Sequence, residues 1–445
     1  MRTLIAVAPL TAHLYPSIPL AWALQSAGHE VRVASNSGLV GQITAAGLTA
    51  VGLGERSSPP PPVTDEQLER FGDALGFEAG SDSDQLWRAI GYYMVAAKTR
   101  YHPDEEGRQE LADNLVGAAR DWRPDLVIWD PACPVGAVAA RECGAASARM
   151  MWGPDYIGWL RGRLVERAGD PASAASPETD PLAELLAPVF GRFGHGFSEE
   201  LLFGDFTIDP LPPLLPRREG LRRIPMRWVP YTGAAPVPEW LSRPPSRPRV
   251  CLSLGVTGRT VHDGPDARVM AAFEAVAGMD VEVVATVDAG QLGEDPKVPG
   301  NVRIVDYLPL TQLMPTCSAV IHHGGFGTFF AAAAHRVPQM IVMEELGSAL
   351  NSTRYLEARG AGMALHSDGL TAAQVGGGLS RMLTEPSFQR GAAAVYADMT
   401  AAPGPGEIVP VLERMAAQYG AGRGAGADRG AGAGARAHAR SSTGG

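Results

Sequence analysis

Residues 3–35 read TLIAVAPLTAHLYPSIPLAWALQSAGHEVRVAS. The opening run, residues 3–8, is continuously apolar, which indicates a strand buried on both faces, as in a parallel sheet. A helix is predicted next, because Pro16 suits a first turn, apolar residues recur at helical spacing, and Gly28 ends the pattern. Residues 31–34 then form a second strand. This order of elements is typical of a doubly wound α/β domain with parallel neighbouring strands.

The same alternation returns in the second half of the chain. Further buried strands are predicted at 126–129, 250–254, 281–287, 302–305, 319–322 and 340–342, and helices at about 109–119 and 267–277. The length of 445 residues suits two or three domains. We therefore predict an α/β protein of two Rossmann-like parallel-sheet domains that face each other across a cleft. Ligands are expected beyond the carboxyl ends of the strands.

Composition marks the expected domain boundaries. The predicted division is an N-terminal domain at 1–209, a linker at 210–248, a C-terminal domain at 249–402, a helix returning to the first domain at 403–419, and a tail at 420–445. The linker is rich in proline, which favours an ordered but irregular connection. The tail is rich in glycine, alanine and arginine and is predicted to be disordered, with contact to an anionic partner as the alternative.

Charge and cysteine content exclude several classes of protein. The formal net charge is −10 and basic residues form no dense cluster, which argues against nucleic-acid binding. The chain has 4 cysteines, at positions 133, 143, 251 and 317, without the spacing of a zinc site. Free thiols in a cytoplasmic setting are therefore expected.

The hydropathy pattern predicts no membrane span, because no run reaches about 18 apolar residues. A signal peptide at the N-terminus is the alternative interpretation of the first apolar run. It is disfavoured by the prolines and the histidine that interrupt this run, and by its continuation into a predicted strand.

The segment 319–328, AVIHHGGFGT, carries the most specific chemical signal. A buried strand ends at His322 and His323, and a helix follows with Thr328 in its first turn. Free N–H groups and the positive end of the helix dipole then favour a phosphate at this point. His323 and Thr328 can donate to it, and a diphosphate can approach the backbone closely at three glycines, Gly324, Gly325 and Gly327. The alternative is a tight structural turn; the pattern is neither GxGxxG nor GxxxxGK[ST].

His13 is the candidate general base. It lies between the first strand and the first helix, at the lip of the predicted cleft, and an ordinary imidazole pKa suits proton abstraction near neutrality. Asp130 ends the strand at 126–129 on the same sheet edge and is positioned to orient the imidazole. An inert turn histidine is the alternative.

Two other groups of residues allow both a structural and a functional interpretation. Six aromatic residues lie between the four consecutive prolines at 59–62 and residue 108. They belong either to the core or to the wall of a large apolar site: Phe71, Phe77, Trp87, Tyr92, Tyr93 and Tyr101. Asp82 and Asp84 spell a DxD motif, but their polar surroundings indicate a solvated loop. We therefore predict no metal site.

Ordered motifs along residues 1–418 resemble one known family. The motifs include HLYPSIPLAWALQSAGHEVRVAS (13–35), WRPDLVIWDP (122–131), MMWGPD (150–155), RVCLSLGVTGR (249–259), NVRIVDYLPLTQLMPTCSAVIHHGGFGT (301–328) and PGPGEIVPVLERMAA (403–417). They resemble the GT-B nucleotide-sugar glycosyltransferases, in the antibiotic-pathway branch that places deoxysugars on macrolides and anthracycline-type polyketides. The resemblance implies an acceptor-binding N-terminal domain and a nucleotide-sugar-binding C-terminal domain.

The resemblance also implies roles for individual residues. His13 is similar to the family's catalytic base and Asp130 to its orienting acid. The implied nucleotide and diphosphate site comprises Gly255, Thr257, Arg259, Tyr307, Leu308, His322, His323, Gly324, Gly325, Gly327 and Thr328, with Tyr307 and Leu308 at the base. Donor-sugar contacts are implied for Glu344 and Glu345, although Gly347 stands where relatives often carry an aspartate. The implied acceptor wall comprises Trp87, Tyr92, Tyr93 and Trp152.

The implied reaction is an inverting, metal-independent transfer of a deoxysugar from a dTDP-sugar to a polyketide hydroxyl, without a cofactor. Members of this branch often work with an auxiliary protein resembling a cytochrome P450 without its haem ligand, for which the helices at about 85–110 are an implied docking surface. A homodimer is a further expectation. A non-catalytic scaffold and a sugar-nucleotide epimerase are the alternatives.

Overall fold

The computed structural model describes residues 1–55, 61–104, 107–169, 180–212, 219–255, 266–293, 296–343 and 349–420. Two parallel sheets organise these ranges. The first sheet contains strands β1 (Arg2–Ala6), β2 (Glu30–Ser35), β3 (Thr49–Gly52), β4 (Leu126–Trp129), β5 (Ala146–Met150), β6 (Phe206–Asp209) and β7 (Arg223–Pro225). The second contains β8 (Arg249–Ser253), β9 (Glu282–Thr286), β10 (Val302–Val305), β11 (Ala319–His322), β12 (Gln339–Met343) and β13 (Gly362–His366).

The strand orders are 3-2-1-4-5-6-7 in the first sheet and 10-9-8-11-12-13 in the second. Every described pair of neighbouring strands is parallel, and β1 lies between β2 and β4. The predicted fold of two Rossmann-like parallel sheets is therefore confirmed. In both sheets the strand order reverses next to the first strand, which places a crevice at the carboxyl ends of β1 and β8.

Helices connect the strands and cover both sheets. The first half contains α1 (Thr11–Leu14), α2 (Ile18–Ser26), α3 (Val40–Ala45), α4 (Asp65–Leu75), α5 (Asp82–Thr99), α6 (Glu110–Trp122), α7 (Val135–Cys143), α8 (Tyr156–Ala168), α9 (Pro181–Gly191) and α10 (Glu199–Phe203). The second half contains α11 (Ala267–Val276), α12 (Ala289–Leu292), α13 (Leu310–Leu313), α14 (Phe326–Ala334), α15 (Ala349–Arg359), α16 (Ala372–Thr384), α17 (Pro386–Thr400) and a C-terminal helix at 405–420. None of the helices in the described ranges is long and apolar enough to cross a membrane.

Local sequence signals fix several helix ends. The Thr64 side chain accepts the Gln67 backbone N–H while the Gln67 side chain accepts the Thr64 backbone N–H, a capping box that starts α4. Thr371 and Gln374 start α16 in the same way. Gly76 ends α4 in the left-handed conformation, with a φ of 53°.

Strands β5, β6 and β7 carry charged residues in a buried setting. The Arg149 guanidinium donates to both oxygens of Asp155, at 2.9 and 2.7 Å, and Arg223 pairs with Asp155 and Asp209 at 3.1 Å each. These ion pairs neutralise the charges of the buried side chains. The three strands therefore carry charged residues and lack the continuous apolar runs by which the other strands were predicted. Strand β7 lies within 210–248, so the first sheet extends into the stretch expected as a linker.

The C-terminal helix returns to the first sheet. Its apolar residues Ile408, Val409, Leu412 and Ala416 pack in the same core cluster as residues of β1 and β2. Glu413 pairs with His29 at 2.9 Å. This contact confirms the predicted return of the last helix to the N-terminal half.

Several contacts between the two halves lie around α14. Phe330 stacks on Trp228, with ring centroids 4.3 Å apart and planes at 14°. Trp152 packs against the same aromatic cluster from the first half. A Cβ atom on Gly153 would lie 3.5 Å from the Phe326 ring. The first turn of α14 therefore contacts the loop that follows β5.

Candidate functional site

His13 lies in the short helix α1, directly beyond the carboxyl end of β1. Its side chain is buried, and its ring centroid lies 4.1 Å from that of Trp152 with the planes tilted at 45°. The imidazole is thus held between the chain that follows β1 and the loop after β5. This is the edge of the sheet on which the sequence predicted it.

Asp130 follows β4, the neighbour of β1, and faces the imidazole. Its Oδ1 lies 3.3 Å from the His13 Nδ1, in an orientation that falls short of a hydrogen bond. The backbone N–H groups of Ala8 and Ala132 each donate to the carboxylate at 2.6 Å. The predicted juxtaposition of His13 and Asp130 is therefore present in the structure.

The electrostatic balance around Asp130 favours the carboxylate. Burial alone would raise the pKa of Asp130, but the His13 imidazole and the two backbone N–H donors outweigh it and hold this pKa below its ordinary value. Asp130 is therefore ionised at neutral pH. An ionised carboxylate beside the imidazole can stabilise the imidazolium that forms when His13 accepts a proton.

A small pocket adjoins the imidazole. Its lining is mainly apolar and includes Val7, Pro16, Ile128, Met150, Met151 and Trp152. Such a lining keeps bulk water away from the two charged or ionisable groups, which strengthens their interaction.

The start of α14 offers a second site, suited to an anion. Gly325 is the N-cap residue and provides no side-chain cap, and the backbone N–H groups of residues 326–328 have no hydrogen-bond partner among the described residues. Gly327 is exposed. Uncapped N–H groups at a helix N-terminus form a ready anion-binding site. The helix begins at Phe326, and Thr328 lies in its first turn as expected.

His322 supports the glycine-rich turn from inside the core. Its side chain is fully buried, and its Nδ1 accepts the Gly324 backbone N–H at 3.2 Å. Burial lowers the pKa of His322 to about 3, so the ring is neutral. The assignment of the His322 side chain to the diphosphate site is therefore wrong, because this side chain is fully buried in the core.

His323 lies between the ends of two loops. Its ring fits only because two neighbours are glycine: a Cβ on Gly255 would lie 2.4 Å from the Cε1 of His323, and a Cβ on Gly325 would lie 2.5 Å from the Nε2. Burial, and then the positive Arg268, lower the pKa of His323 to about 4. The ring is therefore a neutral hydrogen-bonding group at neutral pH. It lies beside the N-terminus of α14, where the sequence predicted it.

Tyr307 and Leu308, the predicted base-binding residues, follow β10. The Leu308 side chain is buried in the core. The Tyr307 ring is half-exposed, and its hydroxyl donates to the Thr232 carbonyl at 2.5 Å. The Tyr307 ring is thereby fixed against the connection between the two sheets, and its role toward a base stays a prediction.

Trp87 does not belong to an acceptor wall. It is buried and stacks on Phe71 at a centroid distance of 5.1 Å. The prediction is wrong because Trp87 lies on the apolar face of α5, which packs into the core. Tyr92 and Tyr93 are exposed on the same helix and lie outside the pocket beside His13.

Asp82 and Asp84 lie in the first turn of α5. Asp82 pairs with Arg354, and Asp84 with Arg88 at 3.0 Å. Across the ranges that the structure describes, no three side chains of His, Cys, Asp or Glu gather as metal ligands would. Four other predicted site residues, Thr257, Arg259, Glu344 and Glu345, lie outside the described residues, as does Gly347.

Sequence reasoning missed Lys98. This lysine is 2% exposed, and its ammonium donates to the Pro131 carbonyl, next to Asp130. A signal was present, because Lys98 follows Trp87, Gly91 and Val95 at helical spacing on the buried face of α5.

Comparison with known proteins gives matches along most of the chain. Residues 22–255 match the N-terminal domain of the erythromycin biosynthesis protein CIII-like family, and residues 269–415 match its C-terminal domain. The chain is 41% identical to aclacinomycin-T 2-deoxy-L-fucose transferase of Streptomyces galilaeus, over 94% of this chain and 97% of the relative. It is also 41% identical to 10-deoxymethynolide desosaminyltransferase of Streptomyces venezuelae, over 94% of this chain and 98% of the relative.

Solved structures of glycosyltransferases also match this chain along most of its length. The glycosyltransferase VinC in complex with dTDP matches with a TM-score of 0.77 and 35% identity, over 94% of this chain and 100% of VinC. Spinosyn forosaminyltransferase SpnP matches with a TM-score of 0.74 and 35% identity, over 94% of this chain and 99% of SpnP.

Proposed function

We propose that this chain, a glycosyltransferase that belongs to the erythromycin biosynthesis protein CIII-like family, moves a deoxysugar from a dTDP-sugar to a hydroxyl group of a polyketide aglycone. The names of the relatives support the sugar and acceptor classes, since they describe deoxysugar transferases for anthracycline and macrolide substrates. The dTDP complex of VinC supports the nucleotide.

The observation that carries the proposal is the buried pair of His13 and Asp130 beside an apolar pocket. In the proposed reaction the neutral His13 removes the proton of the acceptor hydroxyl while that oxygen attacks the anomeric carbon. The bond between this carbon and the diphosphate oxygen breaks on the opposite face, so the configuration inverts. Asp130 holds the imidazole in place and stabilises the imidazolium that forms.

The departing diphosphate needs compensation for its charge. We assign this task to the N–H groups at the start of α14, with hydrogen bonds from Thr328 and from the neutral His323. Trp152, which packs on the His13 imidazole, also packs against the aromatic cluster that contains Phe326, so α14 lies beside the loop after β5. The base and the anion site therefore line one cleft, and the proposal requires no metal or cofactor.

The auxiliary protein and the homodimer stay predictions. Tyr92 and Tyr93 are 53% and 62% exposed on α5, within the stretch expected to dock a P450-like partner. Any assay of the purified chain is therefore best run with and without such a protein.

The decisive experiment incubates the purified protein with a panel of dTDP-deoxysugars and polyketide aglycones and follows aglycone mass. A mass gain equal to one deoxysugar supports the proposal. Binding of dTDP without any mass gain, across the panel and with candidate auxiliary proteins, would instead support the non-catalytic scaffold.

A further inference from the structure

The loop after β5 carries Trp152, which contacts both parts of the proposed site. Its ring centroid lies 4.1 Å from that of the His13 imidazole, and the ring packs in the aromatic cluster that contains Phe326 of α14. The indole N–H is buried and has no hydrogen-bond partner among the residues that the structure describes. Because no such bond holds the indole in place, the position of Trp152 depends on how the loop is anchored.

A buried ion pair joins the two ends of this loop. Arg149, in β5, donates to both oxygens of Asp155, from Nη1 at 2.9 Å and from Nη2 at 2.7 Å. Asp155 is the N-cap residue of α8 and also accepts the Gly158 N–H at 2.9 Å. The side chains of Arg149 and Asp155 are 0% and 2% exposed. The pair therefore ties the end of β5 to the start of α8 across residues 150–154.

Neighbouring elements support both partners of this pair. Arg223 of β7 pairs with Asp155 at 3.1 Å. The Thr207 hydroxyl accepts from Nη2 of Arg149 at 3.3 Å, and the guanidinium lies 4.7 Å from the ring centroid of Phe203. Burial alone would raise the pKa of Asp155, but the two guanidinium groups and the backbone N–H hold this pKa below its ordinary value. The carboxylate is therefore ionised at neutral pH.

Buried ion pairs add little stability over apolar residues of similar size, because both ions lose their hydration, whereas a two-bond arginine–carboxylate pair fixes geometry. We propose that Arg149 is a positioning residue for the sugar transfer: its ion pair with Asp155 fixes the loop that carries Trp152. Trp152 in turn holds the His13 imidazole at its place beside α14. This inference rests on the proposed role of His13 as the base.

Arg149→Lys is the test variant, because lysine keeps the positive charge but lacks the planar group that binds both carboxylate oxygens. We expect kcat to fall by at least about 10-fold, since a misplacement of about 1 Å can cost about 100-fold. Affinity for dTDP, measured by calorimetry, is expected to stay unchanged because α14 keeps its own N–H groups. Asp155→Asn keeps an oxygen for the Gly158 N–H, breaks the same ion pair and is expected to give the same result.

Arg161→Lys is the matched control. Arg161 is an equally buried arginine of the first half, pairs with Asp180 at 2.5 Å and does not line the pocket beside His13. This variant is expected to lower the thermal midpoint but to keep kcat near the wild-type value. Unchanged kcat in both Arg149→Lys and Asp155→Asn overturns the proposal, as does an equal loss of kcat in Arg161→Lys.

A double-mutant cycle tests whether Arg149 acts through Trp152. Once Trp152→Ala is present, Arg149→Lys is expected to cause no further loss of kcat, because changes at coupled residues are not additive. Additive losses would show that Arg149 affects the rate by another route and would overturn the proposal.

The contact itself can be followed without turnover. The nuclear Overhauser effect between the ring protons of His13 and Trp152 reports their distance, with His13→Gln and Trp152→Phe used to assign the signals. Arg149→Lys is expected to weaken this effect, and Arg161→Lys to leave it at the wild-type strength. An effect of wild-type strength in Arg149→Lys overturns the proposal, whether or not the chain transfers a sugar. Absence of transfer by the wild type would instead count against the proposed function.

Discussion

A Cβ atom on Gly153 would lie 3.5 Å from the ring of Phe326, so the loop after β5 in one half of the molecule contacts the first turn of α14 in the other. The neighbouring Trp152 covers the His13 imidazole at a centroid distance of 4.1 Å. The separation between the proposed base and the proposed anion site therefore depends on how the loop after β5 packs against α14.

Replacing Gly153 by leucine is expected to push α14 away from the loop. Misplacement of reacting groups by about 1 Å can cost about 100-fold, so we expect kcat to fall by about 10- to 100-fold. Affinity for dTDP is expected to change little, because α14 keeps its own N–H groups. Gly153→Ala is the matched control and should retain most activity, since a Cβ at 3.5 Å is an ordinary contact. Equal activity of the two variants would show that this contact does not set the geometry.

His13→Ala is expected to lower kcat by about 10²- to 10⁴-fold, the usual contribution of a general base. Calorimetric affinity for dTDP should stay unchanged, because the proposed anion site lies on α14. His195→Ala serves as the control, since His195 pairs with Glu142 at 2.6 Å and is not part of the site. Near-full activity of His13→Ala would exclude His13 as the base.

His323→Ala and Thr328→Ala are each expected to weaken dTDP binding by about 1–3 kcal/mol, the range for a hydrogen bond to a charged group. Titration calorimetry measures this directly. Thr384→Ala is the control, because Thr384 is exposed on α16 and its hydroxyl donates to the Ser380 carbonyl. Unchanged affinity in both site variants would place the diphosphate elsewhere.

The buried His322 makes the stability of the protein dependent on pH. Its folded-state pKa of about 3 lies below the ordinary value of 6.5, so the unfolded chain binds this proton first as the pH falls. The contribution of His322 to stability is therefore fully present above pH 6.5 and is lost as the pH falls toward 3, by at most about 1.4 kcal/mol per pH unit.

His322→Asn keeps an acceptor for the Gly324 N–H and removes the titration. Its thermal midpoint is expected to fall less steeply than that of the wild type between pH 6.5 and 4. His366→Asn, at an exposed position on β13, should follow the wild-type curve. Parallel curves for His322→Asn and wild type would mean that His322 does not contribute to the loss.

Metal removal is expected to leave the initial rate within about a factor of two, because the helix N-terminus rather than a cation compensates the diphosphate in the proposed reaction. The assay compares the rate before and after EDTA, with magnesium or manganese added back. A rate abolished by EDTA and restored by either metal would contradict the proposal. Asp82 and Asp84 would then become candidate metal ligands.

The parallel-sheet fold and the pairing of His13 with Asp130 could be predicted from the sequence. Apolar runs mark β1 and β4 clearly, and the topology of a doubly wound sheet makes these strands neighbours. Residues that follow the two strands must therefore meet at one edge. The inference needed only the order of the elements and no side-chain detail.

Strands β5 to β7 escaped prediction for a physical reason. Arg149, Asp209 and Arg223 are buried because partners outside their own strands neutralise them, so these strands show no continuous apolar run. Lys98 was missed because a lysine is ordinarily exposed, whereas this one is buried with its ammonium on the Pro131 carbonyl. Trp87 was misassigned because the residue type alone does not distinguish an aromatic side chain on the buried face of a helix from one that lines an open ligand site.

The two adjacent histidines contain a signal that was not used. Successive side chains at the end of a strand point to opposite faces, so His322 and His323 cannot both reach a ligand on one side. The structure places His322 in the core and His323 beside the start of α14.

The C-terminal helix at 405–420 belongs by its contacts to the first sheet, although it follows the second in sequence. Recombining halves between two relatives therefore requires two junctions, one before β8 and one between α17 and residue 405. In a hybrid with a single junction, a C-terminal helix from the other parent would pack against the core of the first sheet, where Leu412 lies in this chain. It would also face His29, which here pairs with Glu413 at 2.9 Å. Chimeras that exchange the second sheet and its helices should thus keep the last helix of the parent that supplies the first sheet.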